Sequence, residues 1–333
     1  MKKLGVIILN WNGIKLLKEF LPIASRFTQG EEVDLIVADN GSTDDSVEWI
    51  HTNHPEVKLV AFKENYGFAE GYNRAIEACD YQYITLLNSD VEVTEGWWRP
   101  LLDFMESHPD AGAIQPKILS QREPSKFEYA GACGGFLDKL GYPFCRGRLF
   151  DSIEEDKGQY DNVDPEITWA SGACMTVRRE VYLSLGGLDP RFFAHMEEID
   201  LCFRMLLAGY RNYVVTSVKV YHVGGASLKQ GNPQKTFLNF RNNLLFLHKN
   251  LPVKQGKKIL FQRRLADTLA FGMFILKGDF ANARAVIKAH NDFRRMRGKY
   301  LSHPDRNILH SLPGGRKSAV WQHYIKRKKI SEI

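Results

Sequence analysis

Between residues 4 and 116, short apolar β-branched runs alternate with longer amphipathic stretches, and this alternation constrains the fold more than any other feature of the chain. Leu4 to Asn10, Val33 to Asp39, Val57 to Phe62, Tyr83 to Asn88 and Ala111 to Gln115 predict strands buried on both faces. Ile14 to Phe27, Asp44 to His54, Ala69 to Cys79 and Trp97 to Ser107 predict the helices between them. Such alternation builds an α/β domain around a parallel sheet with crossover helices. In open sheets of this type ligands bind beyond the carboxyl ends of the strands. Asn10, Asp39 and the run Asn88 to Asp90 each stand where a strand passes into a loop, so they are expected to converge on one crevice.

The pattern weakens from Pro116 to about Pro165, where Gly131 to Gly135 and the acidic stretch Asp151 to Asp156 predict a mobile hairpin and loop. Regular structure is expected again at Ile167 to Val177, a strand that includes Trp169 and Gly172. A turn at Gly186 to Pro190, a helix near Glu197 to Ala208, and one or two strands from Val214 to Val223 ending at His222 follow. Beyond residue 240 lie helical patterns, Leu260 to Leu276 and Ala281 to Arg297, rich in Arg and Lys. One domain over 1–248 with a basic, mainly helical extension over 249–333 fits the length of 333 residues.

Charge divides the chain more sharply than its total of +6 shows. Residues 1–240 hold 24 Lys and Arg against 34 Asp and Glu, whereas residues 241–333 hold 21 against 5. A basic segment of this kind is expected to meet an anionic surface, either nucleic acid or an anionic membrane leaflet. No nucleic-acid motif is present, which favours the membrane. The most apolar window, Leu269 to Leu276, is bounded by Asp267 and Lys277 and falls short of the roughly 20 apolar residues a span needs. The apolar run after Lys2 and Lys3 is too short for a signal peptide, so a cytoplasmic location is expected. The cysteines number 5, with no C-x-x-C pair, and are expected to be reduced and mostly buried, in preference to a Cys133–Cys145 bridge across a hairpin.

Five segments carry polar chemistry. In Leu86 to Glu92 a buried strand ends in a turn with a carboxylate. A hard divalent cation takes one or two carboxylates plus diphosphate oxygens, so Asp90 can be a metal ligand or can close an Asx turn. In Ala38 to Ser46, Ser42 with Asp45 predicts a helix N-cap and Asn40-Gly41 a turn, which leaves Asp39 to accept hydrogen bonds from a base or ribose. The stretch Glu64 to Asn73, with Gly67 and Gly71, lets a ligand approach the backbone or simply enters a helix; it lacks the G-K-[ST] ending of a phosphate loop. Glu197, Glu198 and Asp200 crowd a helix start. The helix dipole favours acids there, and their mutual repulsion raises at least one pKa, which suits a general base. His222, at a strand end before Gly224-Gly225, is a structural histidine or, beside a carboxylate, a ligand for Mn²⁺.

Taken in order, Asn10-Trp11-Asn12-Gly13, Asp39-Asn40-Gly41-Ser42-Thr43-Asp44, Asn65-Tyr66-Gly67-Phe68-Ala69, Asn88-Ser89-Asp90, Glu197-Glu198-Ile199-Asp200 and His222 resemble family 2 glycosyltransferases, especially the bacterial rhamnosyltransferase-like branch. The resemblance covers about residues 4 to 248. It implies a GT-A fold, a Rossmann-like mixed and mostly parallel sheet flanked by helices, with a nucleoside-diphosphate sugar donor and inversion at the anomeric carbon. It also implies that Asp39 binds the base, that Asn10 and Asn12 line the nucleotide pocket, and that Asn65 and Gly67 lie against the donor. Asn88-Ser89-Asp90 then stands at the family's D-x-D-like motif, with Asp90 holding Mn²⁺ or Mg²⁺ and His222 completing the shell. Glu198 becomes the base, with Glu197 the alternative and Asp200 the third acid of the motif. Trp169 and Gly172 would border donor sugar and acceptor. Two positions depart from the family pattern: Asn88 leaves Asp90 as the motif's only carboxylate, and Glu198 in place of Asp moves the base by one methylene. Arg241-Asn242-Asn243 matches a further recurrent segment.

Two rivals use the same features differently. A sugar-nucleotide nucleotidyltransferase would carry a glycine-rich phosphate loop ending in Arg or Lys near the N-terminus, and Asn10 to Gly13 is not one. A non-catalytic protein with a nucleic-acid-gripping tail would carry a recognised motif. The reading that follows is metal-dependent, inverting transfer from dTDP-rhamnose or a UDP-sugar to a glycan or lipid-linked acceptor, in cell-surface polysaccharide synthesis at the inner face of the cytoplasmic membrane.

Overall fold

The computed structural model describes residues 2–149, 152–163, 165–224, 231–315 and 318–319. Asp151 of the acidic stretch, Gly225 after the strand-end histidine, and the basic residues from 320 onward lie outside the described residues. The first half runs β1 (Leu4–Asn10), α1 (Ile14–Phe27), β2 (Val33–Asp39), α2 (Ser46–Asn53), β3 (Lys58–Ala61), α3 (Gly67–Glu77), β4 (Tyr83–Leu87), β5 (Val91–Val93), α4 (Trp98–Ser107) and β6 (Ala111–Ser120). The short strands β7 (Gly135–Leu137), β8 (Pro143–Cys145), β9 (Arg148–Leu149) and β10 (Ser152–Ile153) follow. Next come β11 (Glu166–Ile167), β12 (Cys174–Arg178), α5 (Arg179–Ser184), α6 (Glu197–Leu207) and β13 (Arg211–His222). Three helices follow, α7 (Pro233–Asn250), α8 (Val253–Leu276) and α9 (Phe280–Met296), and irregular chain runs on from there.

The main sheet has the order β11-β13-β6-β12-β4-β1-β2-β3, with β5 on the outer side of β13. Strands β3, β2, β1 and β4 are parallel, β12 runs against both β4 and β6, and β13 is parallel to β6. Alternate residues serve the two faces, as the pleat requires. Val6 and Ile8 join α1 and α4 in one core, while Ile7 faces α3, α6 and the small sheet in the other. This is the expected α/β sandwich, mixed and mostly parallel.

Several local expectations change. β3 is an edge strand with exposed ends, not one buried on both faces, and its Lys58 reaches Asp34 at 2.7 Å. A cation on an edge discourages pairing with another chain. β6 continues through Pro116 to Ser120 because its longer partner β13 pairs with it as far as His222 opposite Ser120. The region expected to be mobile instead folds into the four-stranded antiparallel sheet β10-β9-β8-β7, with Phe136, Leu137, Phe144 and Leu149 in the core. Lys117, fully buried, bridges this region through Asp156 at 3.0 Å and Asp161 at 2.5 Å. The strand expected over Ile167 to Val177 breaks into β11 and β12, since Gly135 pairs with Trp169 and draws the chain between them toward the small sheet. Ser42 does not cap α2. That helix starts at Ser46, whose N–H donates to Asp44 Oδ1 at 3.1 Å.

All five cysteines are buried free thiols. The expected division at 248/249 falls in the last turn of α7, where Lys249 and Asn250 reach back to Asp200 at 2.8 and 2.7 Å. α8 is tied to the small-sheet side by Asp267, which accepts from Tyr142 Oη at 3.3 Å and contacts His290 of α9 at 3.0 Å. Among the described residues no helix is long and apolar enough to cross a membrane.

Candidate active site

The carboxyl ends of β1 and β2 form one wall of the crevice, and here nearly every polar group is spoken for. Asn10 Nδ2 donates to Asp39 Oδ1 at 2.9 Å, and Asp39 also accepts from the Ser42 hydroxyl at 2.6 Å and the Ser42 N–H at 2.9 Å. Asn12, in the left-handed region with φ 49°, accepts at Oδ1 from Thr43 N–H at 2.7 Å. Asn40, expected only to make a turn, joins the loops after β2 and β3. Its Nδ2 donates to Asn65 Oδ1 and Gly67 O, both at 2.9 Å, and its Oδ1 accepts from Tyr66 N–H at 3.0 Å. Asn65 in turn accepts from the Gly67 N–H at 2.8 Å. The wall is thus a pre-set frame of side chains bonded to loops, with Asn10 Oδ1 left buried and without a partner.

The far end of the crevice joins Asp90 and His222, which are distant in sequence. β5 pairs with β13 so that His222 lies opposite Val91, one residue past Asp90. Asp90 Oδ1 and His222 Nε2 are 3.1 Å apart, and both side chains are almost fully buried. On the other side of the imidazole, Nδ1 lies 3.6 Å from Glu128 Oε2. Glu128 is there because Phe127 bridges Leu119 of β6, next to the strand that carries His222. Burial alone would disfavour the imidazolium, but Asp90 and Glu128 outweigh burial and push His222 up to about 10.

This corner fits a divalent cation. Two ligands about 2.1 Å from one ion and at right angles lie about 3 Å apart, the separation seen between Asp90 Oδ1 and His222 Nε2. Glu128, 3.6 Å from Nδ1, is an ion-pair neighbour of the ring and not a hydrogen-bond partner, so it would have to close on Nδ1 to orient the imidazole as a ligand. Among the described residues no group of three or more His, Cys, Asp or Glu side chains is arranged to hold a metal. Two protein ligands suit an ion that takes its remaining oxygens from a diphosphate. Asn88 and Ser89, half-buried, form the lip beside Asp90, with the Asn88 N–H donating to Ala173 O at 2.9 Å.

The acidic helix α6 enters from a strained turn. Phe193, His195 and Met196 have φ of 69°, 67° and 78°, a conformation that costs non-glycine residues about 1–3 kcal/mol each. The Arg241-Asn242 pair on α7 holds this turn. Asn242 Nδ2 donates to the carbonyls of Phe192, Ala194 and His195 at 2.9, 2.8 and 2.7 Å, and Arg241 donates to Phe192 O at 2.8 Å. The turn delivers Glu197 and Glu198 into low-dielectric surroundings, each with Oε2 lacking a hydrogen-bond partner. Burial pushes Glu198 up to about 7, and burial together with the Glu198 charge raises Glu197 as well. Glu198 is the more open of the two, and Gly172 lies beside its Cβ.

Two predicted residues sit elsewhere. Asp200 points away from the crevice mouth into an ion-pair network with Arg204 and Lys249, each at 2.8 Å, and Asn250. Burial works against its charge, but those partners overcome burial and hold the carboxyl below its usual range. Trp169 is buried under the small sheet, its indole N–H donating to Phe136 O at 3.0 Å. Gly135 leaves room for the ring, since a Cβ there would sit 2.1 Å from it. Trp169 therefore packs the floor beneath Gly172 instead of lining the pocket. Glu128 was missed because it lies in a glycine-rich stretch without periodicity. A buried acid between Phe127 and Tyr129 was its only local signal.

The model of glycosyl transferase family 2 matches residues 5–186, more than half of the 333-residue chain. The chain belongs to this family. Among its relatives, N-acetylglucosaminyl-diphospho-decaprenol L-rhamnosyltransferase of Mycobacterium tuberculosis is 29% identical over 237 residues, 66% of this chain and 75% of that protein. The rhamnosyltransferase WbbL of Escherichia coli is 26% identical over 164 residues, 47% of this chain and 61% of its own. The mannosyltransferase PcManGT from Pyrobaculum calidifontis, solved in complex with GDP-Man and Mn²⁺, superposes with a TM-score of 0.54 at 14% identity, covering 88% of this chain and 87% of that one. The likeness establishes the GT-A fold for this glycosyltransferase.

Proposed function

We propose that this glycosyltransferase moves a hexosyl group, with inversion, from dTDP-rhamnose or a UDP-sugar to a glycan or lipid-linked acceptor during cell-surface polysaccharide synthesis. The observation that carries the reading is the pairing of a two-ligand corner, Asp90 with His222, with two buried glutamates that each keep one oxygen free. Asp90 and His222 would hold Mn²⁺ or Mg²⁺, which when bound supplies charge stabilisation to the departing diphosphate. The framed wall at Asn10, Asn12, Asp39, Asn65 and Gly67 holds the nucleoside, and Asn88 and Ser89 flank the diphosphate.

Glu198 Oε2 accepts the proton of the acceptor hydroxyl as its oxygen bonds to the anomeric carbon. The bond from that carbon to the diphosphate oxygen breaks with its electron pair on the leaving group. A single displacement of this kind inverts the configuration. A base poised near neutrality is matched to a hydroxyl acceptor at physiological pH. Asp200 positions α6 through its ion pairs. Residues 1–248 carry this chemistry, and the basic extension 249–333 keeps the protein at the inner face of the cytoplasmic membrane. The rhamnosyl relative whose name includes a decaprenol-linked substrate supports a lipid-linked acceptor. A donor screen that follows nucleoside-diphosphate release with Mn²⁺ or Mg²⁺ tests the reading. Turnover of one or more donors that is abolished by chelation is expected. Turnover of none, or full activity in Asp90→Ala, overturns it.

A further inference from the structure

Among the described residues a run of exposed apolar side chains lies on α8. Phe261, Leu265, Leu269, Met273 and Leu276 are 62, 57, 72, 48 and 88% exposed, and Phe280 at the hairpin to α9 is 59% exposed. Spacings of four and three residues put the α8 side chains on one side of the helix, opposite Ile259, Leu260, Arg263 and Asp267, which pack inward. A contiguous apolar stripe of this kind marks a contact surface.

Its charge surroundings identify the partner. Every exposed charged residue between 253 and 299 is Lys or Arg. Lys254, Lys257 and Lys258 continue the stripe toward the start of α8. The acids of this segment are turned to other work: Asp267 holds Arg263 and His290, Asp292 pairs with Arg241 at 3.2 Å, and Asp279 accepts from the Asn282 N–H at 3.1 Å.

We propose that α8, from Lys254 to the hairpin tip at Phe280, lies along a bilayer rich in anionic lipid, with its apolar side chains at the acyl boundary and its cations at the phosphates. This rests on the peripheral placement proposed above and names the surface that makes it. A second copy of the chain fits less well, because two such faces would bring like charges together.

Flotation of the full-length protein with vesicles of phosphatidylglycerol and phosphatidylcholine tests this. The chain is expected to float with them, to release as salt rises, and not to float with phosphatidylcholine alone. The double variant Leu269→Asp/Leu276→Asp is expected to lower partitioning about a hundred-fold, with its melting temperature and vesicle-free nucleoside-diphosphate release unchanged. Lys254→Glu/Lys257→Glu/Lys258→Glu is a second route to the same loss. Failure of the wild type to float, or flotation of both variants like wild type, overturns the proposal. So does sedimentation showing that the Leu variant splits a dimer that does not bind vesicles. Loss of donor turnover with flotation intact would instead sink the catalytic reading and leave this contact standing.

Discussion

Four carboxylates near the crevice divide into two kinds, those of its β1–β2 wall and α6 network and those at the head of α6. Asp39 is held by Asn10 and Ser42, and Asp200 by Arg204, Lys249 and Asn250. Glu197 is as buried and Glu198 partly so, but in each the Oε2 atom is out of water and without a partner. A buried carboxylate with full partners braces the fold, whereas one without them is driven toward protonation and is ready to take a proton. Burial alone therefore does not pick out the reacting group.

The strongest way to break this contrast is Glu198→Gln, which should lower the transfer rate about a thousand-fold with the fold intact by circular dichroism. Glu197→Gln should cost much less, and the reverse order would exchange the two roles. In the metal corner, Glu128→Gln is expected to weaken Mn²⁺ binding about 10- to 100-fold by electron paramagnetic resonance titration, with Asp90→Ala weaker still. An unchanged affinity in Glu128→Gln would make that carboxylate mere packing. Asp39→Asn should act on stability more than on chemistry. Turning one acceptor into a donor facing the Ser42 N–H costs about 1–3 kcal/mol in denaturant unfolding, while the rate at saturating donor stays near wild type.

The smallest expected effect is also the most specific. Because the Glu198 pKa is raised in the folded protein, the native state binds more protons than the unfolded chain between the ordinary glutamate value and about pH 7, so its stability falls as pH rises through that window. Glu198→Gln removes the buried charge. Its melting temperature should exceed wild type by a few degrees at pH 8 and match it at pH 5. Equal melting temperatures at both values would mean that Glu198 is solvated and not poised.

Much of this was legible because strand-end positions are set by local pattern. Asn10, Asp39 and Asp90 stand at strand ends, and the alternation itself implies parallel strands joined by crossover helices. What was hidden depends on pairing across long separations. The Glu128–His222–Asp90 row exists only because β5, β13 and β6 lie side by side, and no local spacing announces that. Ser42 has the composition of a helix cap, yet Asp39 and Asn10 compete for it and win. Trp169 was assigned to the pocket by the family resemblance alone, but the space left by Gly135 draws it into the core. Arg241-Asn242 was visible as a motif and unexplained until the left-handed turn beneath it was seen.

The central claim is that an unpaired carboxylate at the head of α6 removes the acceptor's proton. The measurement that meets it most directly is the pH dependence of single-turnover transfer in the wild type and in Glu198→Gln. The account predicts a wild-type rate that climbs with pH and levels near 7, and a variant that is slow throughout and lacks this rise. A variant with the wild-type rate and the wild-type profile would contradict it.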